Sequence, residues 1–308
     1  MTTTAPRALI AAGGVGRRLG AHTRRRPKPL IYVAGRPILA HLLDALPFVG
    51  ITDVVVVVGY LREQIQAYLA SRPGPPARVV VQQQALGNGH AVYAAREWLR
   101  GPVLIQFGDT IPKLDLSGLT ARRTASIGVS EVDDPSGYGI VETDARGRAR
   151  RLWEKPERAP SNRAVVGTFF FPEASALAVA LGALIGAGVP RDGEFWLTDA
   201  VQLMIERGGE VDTFPVERFY DCGTVDRVLL ANRELLDSSA PTPTFPATEI
   251  VRPCAIDSTA AIRDARIGPY VTVAPGARIA RARVRDAVVH PEAVLEDVDV
   301  AGAIIDGP

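Results

Sequence analysis

Cysteine is scarce in this sequence: Cys222 and Cys254 are the only two among 308 residues. Two thiols make neither a disulfide framework nor a cysteine metal cluster. No apolar run approaches the roughly 20 residues that a membrane-spanning helix needs. The opening Met-Thr-Thr-Thr-Ala-Pro-Arg has no apolar signal region, so the expectation is a cytoplasmic protein with no membrane partner. An excess of one charge is missing too. Thirty-five basic residues face 34 acidic ones, for a net charge of +1. A dedicated nucleic-acid binder would be far more basic, so no nucleic-acid partner is expected. An apolar content of 47% excludes a disordered chain, and the length suffices for one large domain and an appendage.

What the sequence does have is concentrated near its start. Arg7 to Ile10 reads as a buried strand, and Gly13, Gly14 and Gly16 follow it. Bare backbone in such a turn lets N–H groups approach an anion. Arg17, Arg18, Arg24, Arg25, Arg26 and Lys28 then crowd positive charge into the same stretch. Strand, bare turn and cations together point to a phosphate chain. A Walker loop would end in Gly-Lys-Ser/Thr, which is absent. A dinucleotide fingerprint fails as well: Gly14, Gly16 and Gly20 miss the Gly-x-Gly-x-x-Gly spacing by one. Gly59-Tyr60 also stands where an acidic residue should end the second strand. An NAD-dependent dehydrogenase is thereby disfavoured.

Further along, apolar positions in Arg36 to Leu46 fall at helical spacing. Val54 to Val58 is an unbroken β-branched run, the mark of a strand buried on both faces. Glu63 to Leu69 reads as a helix, Val79 to Val81 and Val103 to Phe107 as strands. This alternation indicates a doubly wound α/β sheet. Gln82 to Ala91 leaves the end of a strand, where such sheets bind ligands. Its Gln82 could pair with a base edge, or the stretch could be a polar loop with glycine turns. Gly108-Asp109 ends the fourth strand. Its carboxylate could hold a hard divalent cation, or serve a turn. Shorter strands follow from Ser126 to Phe171, with Glu154-Lys155 either in a site or a solvated surface pair. Glu173 to Ile185 and Leu197 to Arg207 read as helices, with Thr198-Asp199 assigned to packing or capping. Asp221-Cys222-Gly223-Thr224 opens a helix, which Asp221 could cap.

Ser238 to Pro246 has no periodicity and reads as a linker. Beyond it, aliphatic residues recur every five or six positions, at 256, 262, 267, 273, 279, 284, 289, 295, 300 and 305. Small residues at Ala260, Ala277 and Ala293 accompany them. The pattern resembles the hexapeptide repeat of a left-handed parallel β-helix, at about three turns.

The signature stretch resembles that of the sugar nucleotidylyltransferases, also called NDP-sugar pyrophosphorylases. That family carries Gly-Gly-x-Gly-Thr-Arg-Leu, then a Thr, then Pro-Lys. Here stand Gly13-Gly14-Val15-Gly16-Arg17-Arg18-Leu19, Thr23 and Pro27-Lys28. Arg17 replaces the usual Thr or Ser, and Ala21 a common Pro. The resemblance continues through Leu86-Gly87-Asn88-Gly89-His90-Ala91, Gly108-Asp109, Tyr138-Gly139, Glu154-Lys155-Pro156, Gly167 and Asp221-x-Gly-Thr. It implies a Rossmann-like doubly wound mixed sheet of the nucleotide-diphospho-sugar transferase type, with a short C-terminal left-handed β-helix. The implied division is a catalytic domain at 1–237, a linker at 238–249 and the β-helix at 250–308. Nucleotide binding would fall to Ala12, Gly13, Gly14, Val15, Gly16, Arg18, Gln82, Gly87 and Asn88. The sugar phosphate would meet Lys28, Gly139, Glu154, Lys155 and Gly167. Arg18 and Lys28 would be catalytic, and Asp109 and Asp221 would hold Mg²⁺.

The implied reaction joins a nucleoside triphosphate to a sugar 1-phosphate and releases pyrophosphate. The glutamine loop points to dTTP or UTP, with glucose 1-phosphate or a related sugar. Two alternatives stand: a guanylyltransferase acting on a mannose-like or cyclitol phosphate, and a non-catalytic sensor on the same fold. A bifunctional enzyme whose β-helix transfers acyl groups is disfavoured, because about three turns with His290 as their one histidine suit an oligomerisation or regulatory role better. A homo-oligomer formed through the β-helix is expected.

Overall fold

A computed structural model describes residues 5–307 apart from Ser117, Val189 and Ala240. Met1 to Thr4 and Pro308, the ends of the expected domains, and Ala240 in the expected linker lie outside the described residues. Contacts divide the chain into two compact units. One is Met1–Val15 with Leu42–Phe219, the other Gly16–His41 with Tyr220–Pro308.

The first unit is built on a nine-stranded mixed sheet. Its centre is the strand Arg7–Ala12, which pairs in parallel with Asp53–Val58 on one side and Val103–Phe107 on the other. Ala77–Val81 extends the parallel half. The valine run is buried as its composition demands: Val54 is 5% exposed and Val55 to Val58 not at all. Arg163–Phe171 then joins the far side of Val103–Phe107 in the antiparallel sense. It brings Ala125–Glu131 and Gly139–Thr143 with it. The helices Asn88–Ala94, Ser175–Gly186 and Leu197–Glu206 pack Ala91, Val92, Leu177, Leu181, Leu197 and Val201 into one core with Leu9, Val55, Ile105 and Phe169. The expected elements recur with ends moved by one or two residues.

Glycines bring the carboxyl ends of the parallel strands close together. A Cβ on Gly59 would lie 2.7 Å from the Gly13 carbonyl, and one on Gly108 would lie 3.0 Å from that of Ala11. Only bare backbone fits at these strand ends.

The second unit stacks short parallel strands in columns. Glu249 pairs with Arg266, Arg266 with Arg283 and Arg283 with Asp299, at intervals of 17, 17 and 16 residues. Cys254, Val271, Ala287 and Ala303 form a second column, and Ala261, Arg278 and Val294 a third. All ten repeat positions reach the interior: seven are buried in its core, while Ile256, Val300 and Ile305 pack against it half-buried. The small residues Ala260, Ala277 and Ala293 are buried as well. The helix Val225–Leu235 belongs to this unit. Its Asn232, fully buried, accepts from the Ala34 N–H at 2.9 Å and from the Thr272 hydroxyl at 2.6 Å. Thr272 in turn accepts from the Gly35 N–H at 3.1 Å. A buried polar network is thus closed among a turn, a helix and a repeat strand.

Candidate active site

In the first unit the bare turn lies against the glutamine loop. Ala12 and Gly13 are buried and Gly14 is exposed. A Cβ on Gly13 would come within 2.5 Å of the Gln82 Oε1, so any side chain there would have to displace that amide. Gln82 is 6% exposed. Its Nε2 donates to the Gly87 carbonyl at 3.0 Å and lies 3.1 Å from His90 Nδ1. The donor side of the amide is therefore engaged in closing its own loop, which leaves the acceptor Oε1 on the Gly13 side. Burial lowers the His90 pKa, so the neutral ring can accept from Gln82.

Gly87 has φ +94°, and a Cβ there would stand 2.6 Å from the Phe195 carbonyl. Both features exclude a side chain. Asn88 accepts from the Leu197 N–H at 2.8 Å and so caps the start of the helix Leu197–Glu206. Its side chain thus has a structural task that spacing did not reveal.

Asp109 follows the strand Val103–Phe107 and accepts from the Thr110 hydroxyl at 3.2 Å. Behind it the buried Gln106 accepts from Thr168 at 2.6 Å. Gly167, at φ +76°, lies where the register of Arg163–Phe171 shifts, and a Cβ would meet the Phe107 ring at 2.6 Å. Its bareness serves the bulge.

Glu154 is no solvated surface group. Its side chain is 7% exposed, and Oε2 accepts from the Thr198 hydroxyl at 2.6 Å. Burial raises its pKa, opposed by that hydrogen bond and by Lys155. A Cβ on Gly139 would sit 3.2 Å from the same carboxylate. Lys155, at φ +42°, lies 3.9 Å from Glu154 Oε1 and 3.9 Å above the Trp196 ring. Thr198, assigned to packing or capping from the sequence, instead holds the carboxylate. Its partner in sequence, Asp199, pairs with Arg191 at 2.5 Å.

In the second unit three cations surround one carboxylate. Lys28 Nζ lies 3.8 Å from Asp221 Oδ1, and Arg18 lies 3.9 Å from Oδ2. Arg227 hydrogen-bonds to Oδ2. Lys28 is 7% exposed along its side chain, whereas Arg18 is 60% exposed. Two glycines lie against the cluster. A Cβ on Gly223 would fall 2.7 Å from the Arg18 guanidinium and 2.8 Å from Asp221 Oδ1. Gly16, at φ +71°, backs onto Thr23 and the Lys28 stem. The capping alternative for Asp221 fails: the cap of Val225–Leu235 is Thr224, whose side chain accepts from the Arg227 N–H. Arg227 escaped the sequence reading, because nothing local distinguishes an arginine on the first turn of a helix. Arg17 is exposed.

Among the described residues no group of three His, Cys, Asp or Glu side chains is arranged to hold a metal. The described side chains alone therefore build no cage. Mg²⁺ needs none: one or two carboxylates completed by substrate phosphates suit it. Asp109 in the first unit and Asp221 in the second are each a carboxylate of that kind.

His290 is fully buried, and neither ring nitrogen has a hydrogen-bond partner. Burial, with Arg26 and His22 nearby, pushes its pKa down to about 3. A ring sealed from solvent cannot meet an acyl carrier, which removes the acyl-transfer role considered for it.

The nucleotidyl transferase family model matches residues 7–238. The chain belongs to that family. Its members resemble it along most of its length. Glucose-1-phosphate thymidylyltransferase of Streptomyces antibioticus is 28% identical over 97% of this chain and 91% of its own. The bifunctional protein GlmU of Anaeromyxobacter sp. (strain K) is 35% identical over the whole of this chain and 68% of its own. Among solved structures, a putative glucose-1-phosphate thymidylyltransferase from Bacillus anthracis in complex with a sucrose superposes with a TM-score of 0.67. It shares 23% identity over 77% of this chain and 98% of that chain, a likeness of fold. Family membership makes the protein a nucleotidyltransferase, as its motifs implied. No helix among the described residues is long and apolar enough to cross a membrane.

Proposed function

We propose that this nucleotidyltransferase joins a nucleoside triphosphate to a sugar 1-phosphate and releases pyrophosphate. The observation that carries the reading is the cluster of Lys28, Arg18 and Arg227 on Asp221. Three cations gathered around one carboxylate suit a substrate that carries phosphates.

The attacking group is a phosphate oxygen that is already anionic, so no strong base is needed. The obstacle is repulsion between two polyanions and charge building at the α-phosphorus. Fixed cations lower that barrier most effectively when they are held before the substrates arrive. Lys28, buried and held, takes the space between attacking and attacked phosphates, and the exposed Arg18 takes the triphosphate. The bare backbone of Ala12 to Gly16 admits the phosphates, with Gln82, Gly87 and Asn88 toward the base. Gly139, Glu154, Lys155 and Gly167 face the sugar phosphate. Mg²⁺, held by Asp109 and Asp221, would supply charge at the α-phosphate.

In this reading a pyrimidine triphosphate, dTTP or UTP, and glucose 1-phosphate or a close relative are the substrates. The catalytic domain is 1–237, the linker 238–249, and the stacked strands of 250–308 a short left-handed β-helix through which copies associate in the cytoplasm. The test is a matrix of triphosphates against sugar 1-phosphates, read as pyrophosphate released with Mg²⁺. Turnover with a pyrimidine triphosphate is expected. Turnover only with GTP and a mannose-like or cyclitol phosphate would move the substrate assignment. Binding without pyrophosphate from any pair would make the protein a sensor.

A further inference from the structure

The second unit contains a polar cluster that the reaction does not use. His22 Nδ1 donates to Asp306 Oδ2 at 2.7 Å, with both side chains about three-quarters buried. On the other side of the same carboxylate, His290 Nε2 lies 3.9 Å from Oδ1. The His290 ring meets Tyr32 edge-on, 5.9 Å between centroids. Arg26 completes the group. Burial lowers its pKa, and Asp306 and Tyr32 act against that shift. Arg26 Nε, both His290 nitrogens and Asp306 Oδ1 are buried with no hydrogen-bond partner.

Asp306 is well mounted for its place. Ile305 beside it pairs with Val289, and its carbonyl accepts from the His290 N–H at 2.8 Å. On its other side a Cβ on Gly307 would strike the Pro291 carbonyl at 2.1 Å, so the chain passes there as bare backbone. His22 is the first residue of the short helix His22–Arg25. The next residue, Thr23, donates to the carbonyls of Gly16 and Gly20 at 3.1 and 3.3 Å. The stretch from Gly16 to Thr23 is thereby one closed piece, with Gly16 lying against the Lys28 stem, and a displacement of His22 moves the backbone that bears Arg18.

We propose that Asp306 is a positioning residue: through His22 it fixes the loop that presents Arg18 and Lys28. The last strand of the repeats then sets the geometry of cations some 280 residues earlier in the chain. Without Asp306 the His22 ring loses the acceptor that ties it to the end of the repeats, and the loop loses that tether. The catalytic consequence rests on the proposed function; the structural one does not.

Two readouts on the full chain test this. The first is amide hydrogen exchange at Leu19, Gly20 and Arg24, whose N–H groups bond within the loop. Asp306→Ala should speed their exchange about tenfold or more by easing local opening. Asp306→Asn, which keeps an acceptor for His22, should restore most of the protection. Arg233→Ala breaks the Arg233–Asp286 pair in the same unit and should leave these amides unchanged. The second readout is kcat, which should fall about tenfold in Asp306→Ala with KM values within about twofold, and recover in Asp306→Asn. Parent-like exchange in Asp306→Ala, or equal acceleration in Arg233→Ala, overturns the proposal. If Asp306→Ala does not fold, His22→Ala removes the same bond from the loop side and carries the same expectations. If the parent releases no pyrophosphate from any substrate pair, the functional reading fails, while exchange still decides this one.

Discussion

Glu154 shows how one buried carboxylate can report on its own surroundings. Its folded-state pKa lies above the ordinary carboxylate range because burial penalises the charge. As pH rises through the unfolded value, the unfolded chain gives up this proton before the folded one does. Folding stability therefore declines with pH until the folded pKa is passed. Glu154→Gln should flatten that decline in urea melts taken across the carboxylate range. A residual slope should remain from Asp199, whose pKa burial also raises. Thr198→Val keeps the shape but removes the O–H that the carboxylate accepts, and should cost about 1–3 kcal/mol at neutral pH by denaturant melts. Asp109→Asn should raise the Mg²⁺ concentration needed for half-maximal rate, since an amide lacks the charge to hold the ion. A metal titration of the rate checks it. Residue-level chemistry was legible only in part. The family resemblance marked Gln82, Gly87, Glu154 and Asp221, but the partners Thr198 of Glu154 and Arg227 of Asp221 follow from folding that no local pattern encodes.

Among the elements, the repeats were the most readable and the easiest to test. Aliphatic residues five or six apart must share an interior when each strand is one flat side, and all ten do. Ile279 is 1% exposed at the centre of that stack. Ile279→Ala should cost about 2–5 kcal/mol in urea denaturation, through lost contacts and a cavity the neighbouring strands cannot close. The valine strand was equally plain, because a β-branched run with no polar alternation suits only a strand covered on both faces. Less readable was the inward column of Cys254, Val271 and Ala287, set by the 16- and 17-residue pairing interval. The bulge at Gly167 was also hidden: a glycine in an apolar strand signals some irregularity, yet only the fold shows that Phe107 fills the space.

At the scale of the molecule, the family match ends at residue 238, whereas the compact unit that holds Gly16–His41 continues to Pro308. A fragment ending at 238 would lose Thr272 from the Asn232 network, and Asp306 and His290 from beside His22 and Arg26. Such a fragment should melt lower than the full chain and turn over at least about tenfold more slowly, a factor worth ~1.4 kcal/mol in barrier. Thermal melts and initial rates of the two proteins side by side check this. That dependence was invisible in the sequence, where composition breaks at the linker and long-range packing leaves no local trace.

The most direct test of the central claim, that a buried, preheld cation neutralises two meeting polyanions, is the kcat of Lys28→Ala for pyrophosphate release at saturating substrates. A fall of roughly a hundredfold or more in a variant that keeps the parent's circular dichroism is the predicted result. A kcat within about twofold of the parent's would contradict it.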